Sequence, residues 1–180
     1  MRNHLVLLAT LVALVGCRGP EPTLPRLPHD ARDVNALLMN RLDQATSRLG
    51  AAGVEVALSG RPDPGAWAWP AGPIHVSPAL LSIVDDDELA AAIAHELGHL
   101  HADGTWRGPL AALGDGADND AEARADEFGC RLLAARGIPT VAAVRLLEKI
   151  GASIRGGLAD RIARARVNCA AVSAVPAALP

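Results

Sequence analysis

A mainly helical α+β domain carrying a small β-sheet is the fold class that the 180-residue sequence predicts, and three observations predict it. The chain contains 36 Ala but only one Phe, three Trp and no Tyr, so its interior must be filled by many small side chains, which suits close-packed helices better than a large sandwich. Apolar residues at 34, 37, 38, 42, 45 and 49 follow helical spacing, and similar stripes return further along the chain. Between them, residues 54–77 hold three short segments of strand character separated by Gly- and Pro-rich turns.

Taken in order, Asp33–Leu49 is the first helix, punctuated by Gly50 and Gly53. Val54, Val56 and Leu58 alternate with Glu55 and Ala57 as a strand with one buried face. Ser59–Gly65 is turn chemistry, and Ala66–Pro70 and Ile74–Ser77 are two more strands whose prolines place them at or near a sheet edge. Asp85 with Glu88 three residues on forms a capping-box pattern that starts a helix through about His101, with Leu89, Ile93, Leu97 and Leu100 on its apolar side. Gly104–Asp118 is a loop with a short helical piece at Leu110–Leu113. Asn119 with Glu122 is a second cap, starting a helix to about Ala135 that Gly137 ends. A further helix runs from Pro139 or Thr140 through Lys149 to Gly151, Leu158–Val167 forms the last, and Ala170–Pro180 is a frayed tail.

The first residues read as an address. Arg2 precedes an apolar run from Leu5 to Val15, too short to span a bilayer comfortably, and it ends Leu14-Val15-Gly16-Cys17. Small residues before a Cys resemble a bacterial lipobox, which makes Cys17 the expected lipidation site and mature N-terminus. The expected organisation is a lipoprotein signal peptide at 1–16, a Pro-rich tether at 17–32, one domain at 33–168 and a flexible tail at 169–180. The expected location is the exported side of a bacterial membrane, held by the lipid. With 17 Lys+Arg against 20 Asp+Glu, a net charge of −3 gives no support to nucleic-acid binding.

The chemistry concentrates in His95-Glu96-Leu97-Gly98-His99. Two His at i and i+4 project from one helical face, so both imidazoles can reach one Zn²⁺, with Glu96 beside its open position to take a proton from bound water. A catalytic zinc wants a third protein ligand, and Glu122 on the next predicted helix can supply it. Asp126 shares a face with Glu122 and can accept a hydrogen bond from the far nitrogen of a ligand imidazole, for which His95 is the expected partner. Read without the metal, Glu122 is a helix-capping carboxylate and Asp126 a solvated charge. His101 is turned about 200° from His99 and reads as charge at the helix C-terminus. His75 reads as an exposed strand residue, and Trp67 and Trp69, on one face, as core packing or the wall of a substrate pocket. In an exported chain Cys130 and Cys169 could pair, stapling the last helix to that of Glu122, or Cys130 could be a small buried hydrophobe.

His95–His99 followed by Glu122–Asp126 resembles the gluzincin arrangement, HExxH plus ExxxD. The surrounding Ala66–Ser77, Leu80-Leu81, Asp87–His99 and Pro139–Ile150 resemble the HtpX-like and CAAX-prenyl-protease type-I family of zinc peptidases, in a short soluble form, over about Asn35–Val167. The resemblance implies a zincin-like fold, a small edge-exposed sheet packed on the active-site helix, and Pro73–Ser77 as the edge to which an extended peptide adds. Members often carry a His-Pro pair before an Arg-Ile in the C-terminal helix, where the His or a nearby Arg helps hold the oxyanion. Here Gly156–Ile162 has Arg161 and no His, leaving Arg161, Arg155 or the zinc alone for that role. The implied function is a zinc-dependent metalloendopeptidase, one Zn²⁺ per chain, acting on exported or misfolded polypeptide. Two other readings stay open: a catalytically weak or inactive zinc-binding lipoprotein acting as chaperone or adaptor, and a latent peptidase covered by its C-terminal segment.

Overall fold

The computed structural model describes residues 29–69, 72–102, 121–153 and 158–173. Six helices and three strands follow in the order α1 (His29–Arg48), β1 (Val56–Leu58), β2 (Ala66–Ala68), β3 (Ile74–Val76), α2 (Pro78–Ile83), α3 (Asp86–Ala102), α4 (Ala121–Ala135), α5 (Val141–Ser153) and α6 (Ala159–Ser173). The fold is mainly helical with a three-stranded sheet, compatible with the α+β expectation. The signal peptide, Cys17, the tether through residue 28, the Leu110–Leu113 piece, the Asn119 cap, Arg155 and the last seven residues lie outside the described residues.

Helix α3 is the central element and carries the chemistry-bearing residues. It packs against α1, β2, α4 and α5, and Leu89 through Ala94 are all buried. Its start is fixed by a complete capping box: the Glu88 N–H donates to Asp85 Oδ1 at 2.8 Å, and the Asp85 N–H donates to Glu88 Oε2 at 2.8 Å. Glu88 is only 1% exposed, and its carboxylate also accepts from Lys149 Nζ at 2.6 Å and Arg145 Nε at 3.2 Å, both on α5. One buried carboxylate thus sets the register of α3 and ties it to α5.

Strand order in the sheet is β1-β3-β2, with β1 parallel and β2 antiparallel to β3. This corrects the expectation for Pro73–Ser77: β3 is the central strand, and the edge beside α3 is β2. Pro73 precedes the first ladder residue, so its missing N–H removes no bond from either side of β3. Helix α2 was not expected. Ser77, fully buried, caps it by accepting from the Leu80 N–H at 3.1 Å and also accepts from the Gly65 N–H at 3.1 Å, joining the start of α2 to the entry of β2.

In α1 the stripe holds at Leu42, Ala45 and Leu49, which are buried, and fails at Val34 and Leu37, which are exposed, because the N-terminal half of the helix runs beyond the described core. Gly137 ends α4 as expected, in a left-handed conformation at φ +66°, with the Ile138 N–H bonded to the Leu133 carbonyl at 2.9 Å. Helix α5 continues through Gly151 to Ser153: a Cβ at Gly151 would sit 3.4 Å from Leu158, so the glycine there is a packing position rather than a stop. Helix α6 returns along α5 and reaches Ser173, six residues past its expected end. Its last turns are anchored at Thr140, whose hydroxyl donates to the Cys169 carbonyl, and by a disulfide from Cys169 to Cys130 of α4.

Candidate metal centre

The site forms where the C-terminal half of α3 meets the first turns of α4. Gly98 makes this approach possible, because a Cβ there would lie 2.8 Å from Ala125 Cα and 3.0 Å from its carbonyl oxygen. Gly129 does the same from the other side, where a Cβ would come within 3.3 Å of the His95 backbone nitrogen. Two glycines facing across the interface let the helices pack closely enough for side chains on both to converge.

Converge they do. His95 Nε2 and His99 Nε2 are 3.1 Å apart, Glu122 Oε2 is 3.4 Å from His95 Nε2, and Glu122 Oε1 is 3.3 Å from His99 Nε2. Ligand atoms held about 2.1 Å from a tetrahedral zinc are about 3.4 Å from one another, and the two imidazole nitrogens and the two Glu122 oxygens, one facing each ring, are spaced close to that. Two imidazoles and one carboxylate are also the donor chemistry that a catalytic zinc uses. The residues present therefore fit the ion, and Glu122 is drawn to the imidazoles rather than folded back on its own helix.

Asp126 stands behind His95, with Oδ1 at 2.9 Å from Nδ1, the geometry of an imidazole N–H donating to a carboxylate and presenting Nε2 to the metal position. Burial pushes the His95 pKa down, but hydrogen bonds to Asp126 and Glu122 with the added field of Glu96 outweigh it and raise the value to about 9. Glu122 is held well below the usual carboxylate range by its hydrogen bonds to the two imidazoles. For Asp126 burial works upward, yet bonds to His95 and Arg161 leave its pKa lowered.

Arg161 reaches this cluster from α6 and is not a surface residue. Its Nε and Nη2 donate to the two Asp126 oxygens, both at 2.8 Å, and Nη1 lies 2.8 Å from Glu122 Oε2. Nη2 is also 3.2 Å from His95 Nε2. Every nitrogen of the guanidinium is thus directed at a carboxylate of the site.

Glu96 is 7% exposed and lines the same cleft as the two His. Its Oε2 accepts a hydrogen bond from the Ala68 backbone N–H at 2.7 Å. In the β2–β3 pairing Trp67 faces His75, and the bond from the Ser77 N–H to the Gly65 carbonyl fixes the alternation, so Ala66 and Ala68 direct their backbone groups away from β3. The free edge of the sheet therefore touches the carboxylate directly.

The remaining candidates sort themselves. Trp67 is a cleft wall, its ring lying against Gly65 and beneath the Arg61 guanidinium, 4.5 Å from the ring centre, while Trp69 is 64% exposed; neither is core. His75 sits half-buried on the central strand, outside the site. His101 points away from the metal ligands and stacks on Phe128, with ring centres 4.8 Å apart. What sequence reasoning missed is the part played by Ala68, since a backbone donor leaves no side-chain signature.

No curated protein and no solved structure matches the chain significantly. Residues 28–114 match the family model of peptidase family M48. That span takes in α1, the sheet and the whole of α3 with His95, Glu96 and His99; Glu122 lies beyond it and joins the site by geometry. The match covers 87 of the 180 residues, just under half of the chain, and over that span the chain is similar to peptidase family M48, a family of metallopeptidases, while His95, His99 and Glu122 form a group that could hold the metal ion.

Proposed function

We propose that this protein is a zinc-dependent metalloendopeptidase that cuts exported or misfolded polypeptides. The observation that carries the reading is the convergence of His95, His99 and Glu122 beside a buried Glu96 in one cleft. Zinc bound by those three side chains would supply the Lewis acidity that polarises a scissile carbonyl and makes a water acidic near neutral pH. Glu96 takes the proton of the attacking water and returns it to the departing amine nitrogen. The Ala68 N–H holds the Glu96 carboxylate in place for both transfers. Asp126 holds His95 in the tautomer that leaves Nε2 free, and Arg161 clamps Asp126. An extended substrate has β2 as the available edge, where the Ala66 backbone groups and the Ala68 carbonyl face away from β3 and the Ala68 N–H is already taken by Glu96. Lipidation at Cys17 would hold the domain at a membrane, a reading supported by the sequence alone; none of the described helices is long and apolar enough to cross one.

The test is Glu96→Gln. The variant should bind zinc at the same stoichiometry and lose cleavage of unfolded casein by at least a thousandfold, and cleavage at the unsubstituted rate would remove Glu96 from the base role. Binding of unfolded polypeptide by the unsubstituted, zinc-loaded protein without any turnover would favour the adaptor reading instead. The reading of a covering C-terminal segment finds no support in Asn168–Ser173, which pack as the end of α6 and are not among the cleft-lining residues.

A further inference from the structure

The sheet side of the cleft carries a charged side chain to which the chemistry above gives no task. Arg61, in the turn before β2, lines the cleft together with Asp63, Gly65 and Trp67. Its backbone N–H donates to Ser59 Oγ at 3.2 Å, which holds the turn, and its guanidinium lies 4.5 Å from the centre of the Trp67 ring. Gly65 makes room for this stack, because a Cβ there would lie 2.6 Å from the indole. Arg61 makes no ion pair among the described residues, whereas Arg161, the other arginine of the cleft, spends its nitrogens on Asp126 and Glu122. A guanidinium stacked on a ring keeps its N–H edge free, in the fork that takes both oxygens of a carboxylate. Strand alternation decides where this edge stands. Ile74 and Val76 are buried and Ala66 and Ala68 pack on the core, so Trp67 and its β3 partner His75 turn to the outer face of the sheet.

We infer that Arg61, held on Trp67, is a specificity-determining residue that takes an acidic side chain of the polypeptide laid along β2. The inference rests on the peptidase reading and adds a substrate preference to it. A strand added to the free edge of β2 pairs through the Ala66 backbone groups and the Ala68 carbonyl, which brings one of its residues directly opposite Trp67. Directly opposed side chains stand on the same face with their Cβ atoms about 4.5–5.5 Å apart. A glutamate or aspartate in that place stands beside the indole and meets the guanidinium that overlies it. The next β2 residue, Ala68, touches Glu96, and an extended chain advances about 3.3 Å per residue, so the acidic residue lies within two residues of the bond cut. A lysine there meets like charge, and a leucine finds the ring face already covered. Asp63, on the same turn and also without an ion pair among the described residues, opposes the field of Arg61 and keeps the preference moderate.

Two measurements test this. Cleavage sites of the zinc-loaded protein in denatured casein, mapped by mass spectrometry, should show Glu and Asp enriched, and Lys and Arg depleted, at one fixed position within two residues of the cut. Blocked peptides of otherwise uncharged sequence, with a single Glu, Gln or Lys moved along the chain, should bind zinc-loaded Glu96→Gln protein with Glu ahead of Gln and Lys last at one position. Glu should lead Gln by about three- to tenfold at low salt and by less at about 0.5 M. Arg61→Ala should level the three peptides, and Arg61→Glu should reverse their order, with zinc stoichiometry and melting temperature close to the unsubstituted values. Equal binding of the three peptides at every position, or an order that survives both Arg61 substitutions in folded protein, would overturn the assignment. Turnover with a flat profile overturns the acidic preference alone, while the binding order without turnover overturns the peptidase reading and keeps Arg61 as a carboxylate-binding residue.

Discussion

Glu96 takes its orientation from a backbone amide across the cleft, and that makes the contact separable by mutation. The Ala68 N–H points away from β3, so proline at this position takes nothing from the sheet ladder and removes only the donor to Glu96. Ala68→Pro should keep zinc stoichiometry and melting temperature close to the unsubstituted values and lower kcat/KM by about tenfold or more, an effect comparable to loss of one orienting hydrogen bond to a charged group. Equal kcat/KM would show that Glu96 needs no such support. Arg161 presents a sharper choice. If it acts through Asp126, as its paired bonds to that carboxylate indicate, Arg161→Ala should weaken zinc affinity by about 10–100-fold while activity at saturating zinc stays within a few-fold. A donor to the oxyanion would show the reverse pattern, with zinc affinity intact and kcat down by about 10²–10³. At this scale the sequence was most informative: spacing alone singled out His95, Glu96, His99, Glu122 and Asp126. Arg161 was recognisable only through a family resemblance, because a single arginine on a helix carries no pattern of its own.

Between α3 and α4 the decisive feature is what is missing from Gly98. The Ala125 backbone occupies the space a Cβ would need, and backbone cannot swing aside as a side chain can. Gly98→Ala should push α4 outward by several tenths of an ångström, cost about 1–3 kcal/mol in stability, and weaken zinc binding at least tenfold by moving Glu122 off the imidazoles. Circular dichroism and chelator competition would check the two effects, and undiminished zinc affinity would show that the helices have slack. Gly98 carries no signature of this role in the sequence, because the role depends on a helix that enters 23 residues later. The same limit explains the other differences. The capping box at Asp85 and Glu88 is local, and it set the start of α3 to within a residue. The position of β3 depends on which strands pair, and Pro73 gave the wrong cue because it stands just outside the ladder. Helix α2 is only six residues long, too short for a periodic stripe, although Ser77-Pro78 is a legitimate start signal. Gly151 reads as a stop in isolation and becomes a contact once Leu158 packs on it.

Across the molecule, the cluster couples proton, metal and stability. His95 must be neutral to bind zinc, yet neighbouring carboxylates raise its pKa from 6.5 to about 9 in the metal-free protein, so zinc has to displace a proton at neutral pH. Apparent zinc affinity should therefore fall about tenfold for each pH unit below 9, measured by competition with a chelator between pH 7 and 8.5, and a flat profile would exclude His95 as a ligand. The sign for folding is the opposite one. A His pKa raised above its unfolded value stabilises the metal-free chain in full below about 6.5, and that contribution is lost as pH rises through 9. The melting temperature of metal-free protein should decline over that interval, while the zinc-loaded protein should not follow it.

Helix α4 enters the site with Glu122 and two turns later carries Cys130, bonded to Cys169. The disulfide fastens it covalently and closes a span of 39 residues, and zinc held by Glu122 with the two imidazoles would add a second, chemically independent link. A ring of that size removes on the order of 4 kcal/mol of chain entropy from the unfolded ensemble. Each fastening draws on a different resource of the surroundings, an oxidant for the sulfurs and a divalent ion for the imidazoles and carboxylate. Cutting either one loosens a different end of the same rod, so reductant and chelator together should do more damage than the sum of each alone.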